Sequence, residues 1–180
     1  MIVTIDGPAG AGKSTVAKAL AERLGYRLLD TGAMYRAVTL EALRTGGDPV
    51  AIARGEAWRR HLDDPALRAD EVNDAVSGVA SQAAVREALH GAQRAFLAAG
   101  DAVAEGRDIG AVVWPQAELK VWLDADPDER ARRRQGEGAA ALERDRRDAA
   151  QTIVPEGSAR IDTTGLSVDE VVDRIEELVR

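Results

Sequence analysis

A glycine-rich segment near the N-terminus constrains the fold more than any other part of the chain. Gly7, four intervening residues and then Gly12-Lys13-Ser14 match the phosphate-loop pattern G-x-x-x-x-G-K-[ST]. The pattern is meaningful only between a strand and a helix, and both are predicted here. Residues 1–5 form an apolar run, and apolar residues recur at helical spacing from Val16 to Leu24. The agreement of pattern and context favours nucleotide binding over a chance match.

The residue types of this loop suit a bound triphosphate. Its glycines allow the backbone to turn successive N–H groups toward phosphate oxygens, and the following helix adds its own unpaired N–H groups. Lys13 supplies a mobile positive charge for the β and γ phosphates, and the Ser14 hydroxyl is the expected ligand of Mg²⁺. The residues predicted to bind ATP are Gly7, Pro8, Ala9, Gly10, Ala11, Gly12, Lys13, Ser14 and Thr15. The loop alone does not distinguish a kinase from a GTPase or a motor.

Composition narrows the class of protein. A chain of 180 residues is expected to form a single α/β domain, and the absence of cysteine excludes a disulfide scaffold or a thiolate metal site. A net charge of −7 argues against a protein that coats nucleic acid. The first strand begins at the N-terminus, and no apolar run approaches 18 residues, so we expect neither a leader nor a membrane span. We therefore predict a cytoplasmic monomer that binds small-molecule nucleotides, without nucleic-acid or membrane partners.

The order of apolar segments predicts a five-stranded parallel sheet flanked by helices, which is the P-loop NTPase fold. Strands are expected at residues 1–5, 26–30, 102–104, 119–123 and 160–162. Thr31 is a candidate N-cap for the second helix, Asp126-Pro127 is expected to begin a later one, and Ser167 to cap the last. Helices are also expected at residues 71–81, 82–98 and 140–151.

Polar segments follow several of these strands, where ligands of parallel sheets collect. Residues 30–36 combine a hydroxyl, a helix N-terminus and an arginine, which could hold a second phosphate or form an ordinary cap. Gly106-Arg107-Asp108 could bind a ligand or form a buried ion pair. The arginines of residues 130–134 and 144–148 predict a basic helical pair that neutralises phosphate charge, with solvated helices as the alternative.

Two histidines and three tryptophans lie outside these segments. His61 and His90 have no partner that the sequence identifies, and we interpret each as a surface or core histidine. Trp58, Trp114 and Trp122 are interpreted as packing residues.

Four segments, residues 5–15, 29–36, 105–110 and 161–164, together resemble the bacterial cytidylate kinases, which are nucleoside monophosphate kinases of the adenylate-kinase-like P-loop fold. Thr-Gly-Ala-Met-Tyr-Arg followed by Gly-Arg-Asp-Ile-Gly is more specific than the phosphate loop. The resemblance implies phosphoryl transfer from ATP, with Mg²⁺, to CMP or dCMP. It also implies a core at about residues 1–47, 101–128 and 156–180, an acceptor-binding insertion at about 48–100 and a lid at about 129–151.

Site residues are carried over by the same resemblance. The acceptor-binding residues it implies are Thr31, Tyr35, Arg36, Ser81, Arg86, Arg107, Asp108, Arg144 and Asp148. The catalytic residues it implies are Lys13, Arg36, Arg107, Asp108, Arg130 and Arg134, with Arg133 also at the lid.

The chain departs from the family pattern mainly by being short. The insertion, the link from Ser81 to Arg86 and the lid around residues 136–141 are abbreviated, and Gln151 and Val154-Pro155 stand where the family has arginine and Ala-Pro. Two alternatives therefore stay open: a kinase of the same fold for UMP, AMP, dTMP or a shikimate-like acceptor, and a non-catalytic nucleotide-binding module. The Asn-Lys-x-Asp motif of GTPases is absent from the sequence.

Overall fold

The computed structural model describes residues 1–133 and 152–179. It divides the chain into two compact units, one formed by residues 1–30 and 96–180 and the other by residues 31–95. Among the described residues, the helices are α1 (Lys13–Leu24), α2 (Thr31–Thr45), α3 (Pro49–Arg54), α4 (Asp70–Ala80), α5 (Ala83–Ala98), α6 (Pro127–Arg133) and α7 (Val168–Val179). The helix expected at residues 140–151 lies outside the described residues.

The first unit contains a five-stranded parallel sheet, as predicted. Its strands are β1 (Ile2–Asp6), β2 (Arg27–Asp30), β3 (Ala102–Gly106), β4 (Leu119–Asp124) and β5 (Ala159–Asp162). Their order in the sheet is β2-β3-β1-β4-β5. The central strand β1 pairs with β3 on one side and β4 on the other, and all five residues of β1 are buried. The residues that follow β1 are therefore placed at the middle of the sheet edge.

Helices α1 and α7 cover one face of this sheet and form the main core. Val16 and Leu20 of α1 and Ile175 of α7 pack with Val3 and Ile5 of β1. The apolar positions of α1 recur every four residues, which places them on the side of the helix that faces the sheet. Gly25 ends α1 in the left-handed conformation (φ 68°), and the Tyr26 N–H still donates to a helical carbonyl, so β2 begins at Arg27 and not at residue 26.

Local capping explains where α6 and α7 begin. Asp126 accepts a hydrogen bond from the Asp128 N–H (2.9 Å) with Pro127 at the first helical position, as predicted for α6. Ser167 and Glu170 form reciprocal hydrogen bonds at the start of α7, which is a capping box. The expectation for Thr31 was wrong in detail, because α2 follows β2 directly and Thr31 is its first helical residue.

The second unit packs α2 against α4 around a short 3₁₀ turn at Ala57–His61. Trp58 is buried, and its indole N–H donates to the Gly55 carbonyl (2.9 Å), which confirms its packing role. His61 is buried beside Glu41, with 2.5 Å between Nε2 and the Glu41 carboxylate, and Arg60 donates to both Glu41 oxygens at 2.8 Å. The hydrogen bonds from His61 and then Arg60 lower the pKa of Glu41. His61 is thus a core histidine with charged partners.

No helix within residues 1–133 and 152–179 combines the length and the apolar character that a membrane span requires.

Candidate active site

The phosphate loop connects the central strand β1 to α1, and close contacts with neighbouring backbone explain why some of its positions require glycine. A Cβ at Gly7 would lie 2.1 Å from the Leu123 carbonyl oxygen, because the loop passes directly over the end of β4. A Cβ at Gly10 would lie 2.8 Å from the Arg130 carbonyl oxygen, since the backbone of α6 packs against the loop. Gly10 and Gly12 also have φ values of 78° and 90°. Only glycine allows these approaches.

Lys13 and Ser14 begin α1 at the mouth of this loop. Lys13 is buried, and its ammonium group donates to the Pro8 carbonyl at 2.8 Å, so it lies across its own loop. Ser14 is exposed as a residue, but its hydroxyl donates to Glu105 of β3 at 2.9 Å. The helix N-terminus, the ammonium group and the loop N–H groups are chemically suited to bind anionic oxygens.

Glu105 is a functional candidate that the sequence analysis did not single out. It is the penultimate residue of β3 and is buried, facing Asp30 of β2 in register. Burial, followed by the neighbouring negative charge of Asp30, raises the pKa of Glu105 to about 7, while Lys13 and the Ser14 hydrogen bond act in the opposite direction. A carboxylate at the end of an otherwise apolar strand is the signal that could have identified it.

Ser14 and Glu105 have oxygen atoms that could bind Mg²⁺. Within the described part of the chain, no group of three or more His, Cys, Asp or Glu side chains could hold a metal alone. Mg²⁺ commonly uses one or two protein oxygens and completes its shell with water and substrate phosphates. A hydroxyl and a carboxylate 2.9 Å apart beside a phosphate-binding loop match this requirement.

Asp6 links the phosphate loop to the segment after β3. It is the last residue of β1, is fully buried, and accepts the Ile109 N–H (2.7 Å) and the Gly110 N–H (2.8 Å) on separate oxygens. Burial raises the pKa of Asp6 to about 6, although the Gly110 and Ile109 hydrogen bonds act in the opposite direction. One carboxylate therefore fixes the turn that carries Arg107 and Asp108.

Arg107 and Asp108, predicted from the sequence, stand at the carboxyl end of β3 beside the phosphate loop. Asp108 is buried, and its charge contributes to the raised pKa of Asp6. The Arg107 carbonyl accepts the Ile153 N–H at 3.0 Å, which fixes the backbone on the other side of the turn. These contacts fix the backbone of Arg107 and Asp108 just beyond the carboxyl end of β3.

Arg130 of α6 reaches the same loop through its backbone, which packs against Gly10. Its side chain donates from Nε to the Ala125 carbonyl at 3.1 Å. Arg134, Arg144, Asp148 and Gln151 lie outside the described residues.

The remaining predicted residues belong to the second unit. Thr31 is buried at the start of α2, and Tyr35 and Arg36 lie half-buried about one turn later. Ser81 follows α4, where its hydroxyl donates to the Gly78 carbonyl (2.9 Å), and Arg86 lies half-buried near the start of α5.

The comparisons of this chain with known proteins agree on one protein family. Residues 3–180 match the cytidylate kinase family. The chain is 44% identical to the cytidylate kinase of Exiguobacterium sibiricum (strain DSM 17290 / CCUG 55495 / CIP 109462 / JCM 13490 / 255-15), covering 98% of this chain and 95% of that protein. That alignment is 214 residues long, whereas this chain has 180, so at least 34 positions of the relative are missing here.

Two further matches are a longer protein of similar sequence identity and a solved structure of much lower sequence identity. A bifunctional pantoate ligase/cytidylate kinase of Synechococcus sp. (strain CC9311) is 43% identical over 99% of this chain, which spans only 44% of that protein. The solved structure of a gluconokinase from Sinorhizobium meliloti 1021 superposes with a TM-score of 0.55 at 16% identity, covering 98% of this chain and 94% of that one. The structural likeness supports the P-loop kinase fold.

Proposed function

The chain belongs to the cytidylate kinase family, and we propose that it transfers the γ-phosphoryl group of ATP to CMP, and to dCMP, by in-line displacement. The curated relatives carry the name cytidylate kinase at 40–44% identity. Neither a different acceptor nor a non-catalytic module is favoured by these names. The proposal places the enzyme in the cytoplasm as a monomer with nucleotides as its partners, in keeping with a cysteine-free chain of net charge −7.

One observation carries the proposal beyond family membership. The phosphate loop after β1 and the Arg107-Asp108 turn after β3 follow neighbouring parallel strands, and Asp6 is hydrogen-bonded to the backbone of that turn. A kinase needs one anion-binding segment for the donor and another for the acceptor, held at fixed separation. Two such segments joined by one buried carboxylate meet this need.

The donor half of the proposal uses the loop and the start of α1. Backbone N–H groups and Lys13 would bind the β and γ phosphates, and Ser14 with Glu105 would hold Mg²⁺. When bound, Mg²⁺ neutralises charge on these phosphates. A phosphate oxygen of CMP would form the new bond to the γ-phosphorus while the bond to the bridging oxygen of ADP breaks, so no covalent enzyme intermediate is needed.

For binding of the acceptor CMP, the proposed residue roles are those that the resemblance to cytidylate kinases implies. Arg36 and Arg107 would bind the CMP phosphate, because a guanidinium forms bidentate hydrogen bonds with phosphate oxygens. Asp108, Ser81 and Arg86 would contact cytosine, and the other proposed acceptor-binding residues are Thr31, Tyr35, Arg144 and Asp148. Arg130 and Arg134 would neutralise charge on the transferred group from a lid at about residues 129–151, and the acceptor-binding insertion would occupy about residues 48–100.

An ADP-release assay across CMP, dCMP, UMP, AMP and dTMP tests the acceptor. We expect the highest kcat/KM for CMP or dCMP. Arg107→Ala should lower kcat/KM for CMP by about 100-fold or more, because a charged phosphate contact is lost, whereas Arg174→Ala, an exposed change on α7, should leave it unaltered. Faster turnover of AMP or dTMP than of CMP would refute the assignment, and an unchanged Arg107→Ala would refute that residue's role.

A further inference from the structure

The turn after β5 contacts the back of the phosphate loop through one threonine. Thr163 is buried, and its hydroxyl lies 3.1 Å from the Ala11 carbonyl oxygen and 3.0 Å from the Asp124 carbonyl oxygen. The Thr163 N–H donates to the same Asp124 carbonyl at 2.8 Å, which fixes the turn on β4. The Thr163 hydroxyl thus connects the ends of β4 and β5 to the peptide that precedes Gly12.

Arg133 of α6 holds this threonine from the other side. Its guanidinium donates from Nη1 to the Thr163 hydroxyl and from Nη2 to the Thr163 carbonyl, both at 2.8 Å. Nη1 also lies 3.4 Å from the Gly10 carbonyl, and Nε donates to Glu129 at 3.0 Å. The Thr163 hydroxyl oxygen accepts a hydrogen bond from Nη1, so the hydroxyl proton is free to point toward the Ala11 and Asp124 carbonyl oxygens.

Peptide geometry gives these contacts a consequence for ligand binding. The C=O and N–H of a trans peptide point in opposite directions, and the structure contains no cis peptide among its described residues. When Thr163 holds the Ala11 carbonyl, the N–H of Gly12 in the same peptide points away from Thr163. Gly12 N–H is one of the loop donors expected to face a phosphate, so the contact selects the orientation that the ligand needs.

From this geometry we propose that Thr163 and Arg133 are positioning residues that hold the Ala11–Gly12 peptide of the phosphate loop ready for the donor phosphates. Arg133 acts through Thr163 and not as a phosphate ligand, which separates it from Arg130 and Arg134. The inference rests on the proposed function in that the donor is ATP. The proposal also gives a role to Thr163 within the segment at residues 161–164.

Thr163→Val tests the proposal, because it removes the hydroxyl while keeping the branched shape of the side chain. Calorimetric titration with ATP should give a Kd raised about 3- to 10-fold, the effect of losing one neutral hydrogen bond. The KM for ATP should rise in parallel while the KM for CMP stays within about twofold of wild type. Thr163→Ser keeps the hydroxyl and should restore wild-type affinity for ATP.

Thr164→Val is the matched control. The Thr164 hydroxyl contacts Asp162 (2.6 Å) and the Asp126 N–H (2.8 Å) in the same turn, and we expect its removal to leave the Kd for ATP unchanged. An unchanged Kd for Thr163→Val, equal increases in the KM for ATP and CMP, or failure of Thr163→Ser to restore affinity would each overturn the proposal. Wild-type enzyme that bound ATP but did not phosphorylate CMP would instead refute the proposed function, and the Kd series would still test the role of Thr163.

Arg133→Met and the double variant with Thr163→Val show whether Arg133 acts through Thr163. If it does, the combined increase in Kd should be smaller than the product of the two single increases. A fully multiplicative effect would mean that Arg133 acts on the phosphates directly and would overturn that part of the proposal. This measurement also serves if Thr163→Val proves too unstable to titrate, because Arg133→Met alone should then raise the Kd for ATP without raising the KM for CMP.

Discussion

Asp6→Asn should abolish one pH-dependent component of stability. Asp6 is fully buried at the end of β1, and burial raises its pKa to about 6 from an ordinary value of 3.8. A carboxyl whose native pKa lies above its unfolded value takes up its proton first in the native state. Wild-type protein therefore gains stability from this group as the pH falls, and loses it as the pH rises through about 6.

The magnitude follows from the two pKa values. The full shift corresponds to about 3 kcal/mol, of which a little under half is gained between pH 8 and pH 5. Asparagine has no proton to take up in this range. The difference in the free energy of unfolding, wild type minus Asp6→Asn, should therefore rise by about 1 kcal/mol from pH 8 to pH 5. Lys13 and Asp108 are the charged groups whose fields act on Asp6, and both remain in the variant.

Urea unfolding of the nucleotide-free proteins at pH 5, 6, 7 and 8 measures this difference, with circular dichroism as the signal. Asp162→Asn is the control. Hydrogen bonds from the Thr164 hydroxyl and N–H lower the pKa of Asp162 in the native state from its ordinary value of 3.8, so this carboxyl is ionised in both native and unfolded protein from pH 5 to pH 8. The difference in the free energy of unfolding between wild type and Asp162→Asn should not change with pH. If the Asp6→Asn difference is also flat, or falls toward pH 5, then the buried carboxylate does not titrate as argued.

Two further perturbations test separate parts of the structure. Gly10→Ala should weaken ATP binding by about tenfold or more, because its Cβ would lie within 3.0 Å of the α6 backbone. Gly25→Ala is the control, since Gly25 has a similar positive φ but a Cβ there would have no atom within 4 Å. It should leave ATP binding unchanged and lower only the stability, through the strained backbone conformation. Glu41→Gln should lower the thermal midpoint of unfolding more than Glu56→Gln. Both His61 and Arg60 are hydrogen-bonded to the buried Glu41 carboxylate, whereas Glu56 pairs with Arg59 in an exposed position. Equal midpoints for the two variants would refute a structural role for the buried network.

The elements of the fold were predictable because their signals are local. The phosphate-loop pattern, the apolar strand segments and caps such as Asp126 and Ser167 each depend on residues within one turn of each other. The sheet order was not predicted, because a strand sequence records its burial but not its neighbours. Tyr26 was assigned to β2 although its N–H completes the end of α1, which is the usual uncertainty at a helix boundary.

Partners distant in sequence account for what was missed at the candidate site. Glu105 meets Ser14 across 91 residues, and Asp6 meets Ile109 across 103 residues. Both carboxylates lie near the carboxyl ends of largely apolar strands, Asp6 as the last residue of β1 and Glu105 as the last but one of β3, and only the packed sheet identifies their partners. Arg133, which the family resemblance assigns to the lid, donates hydrogen bonds to Thr163, and this partner 30 residues away was not predictable from the sequence either.

The central position of β1 has a consequence for how the chain is made. Ile2 pairs with Ala102 and Val3 with Leu119, so both neighbours of the first strand are encoded more than 95 residues after it. At ordinary rates of translation, on the order of 10 s separates the emergence of the phosphate loop from that of β4. Long-range pairing of this kind also slows folding, because the intervening chain must be closed into a loop before any contact compensates for it. The phosphate loop is therefore synthesised well before the two strands that hold β1 in the sheet.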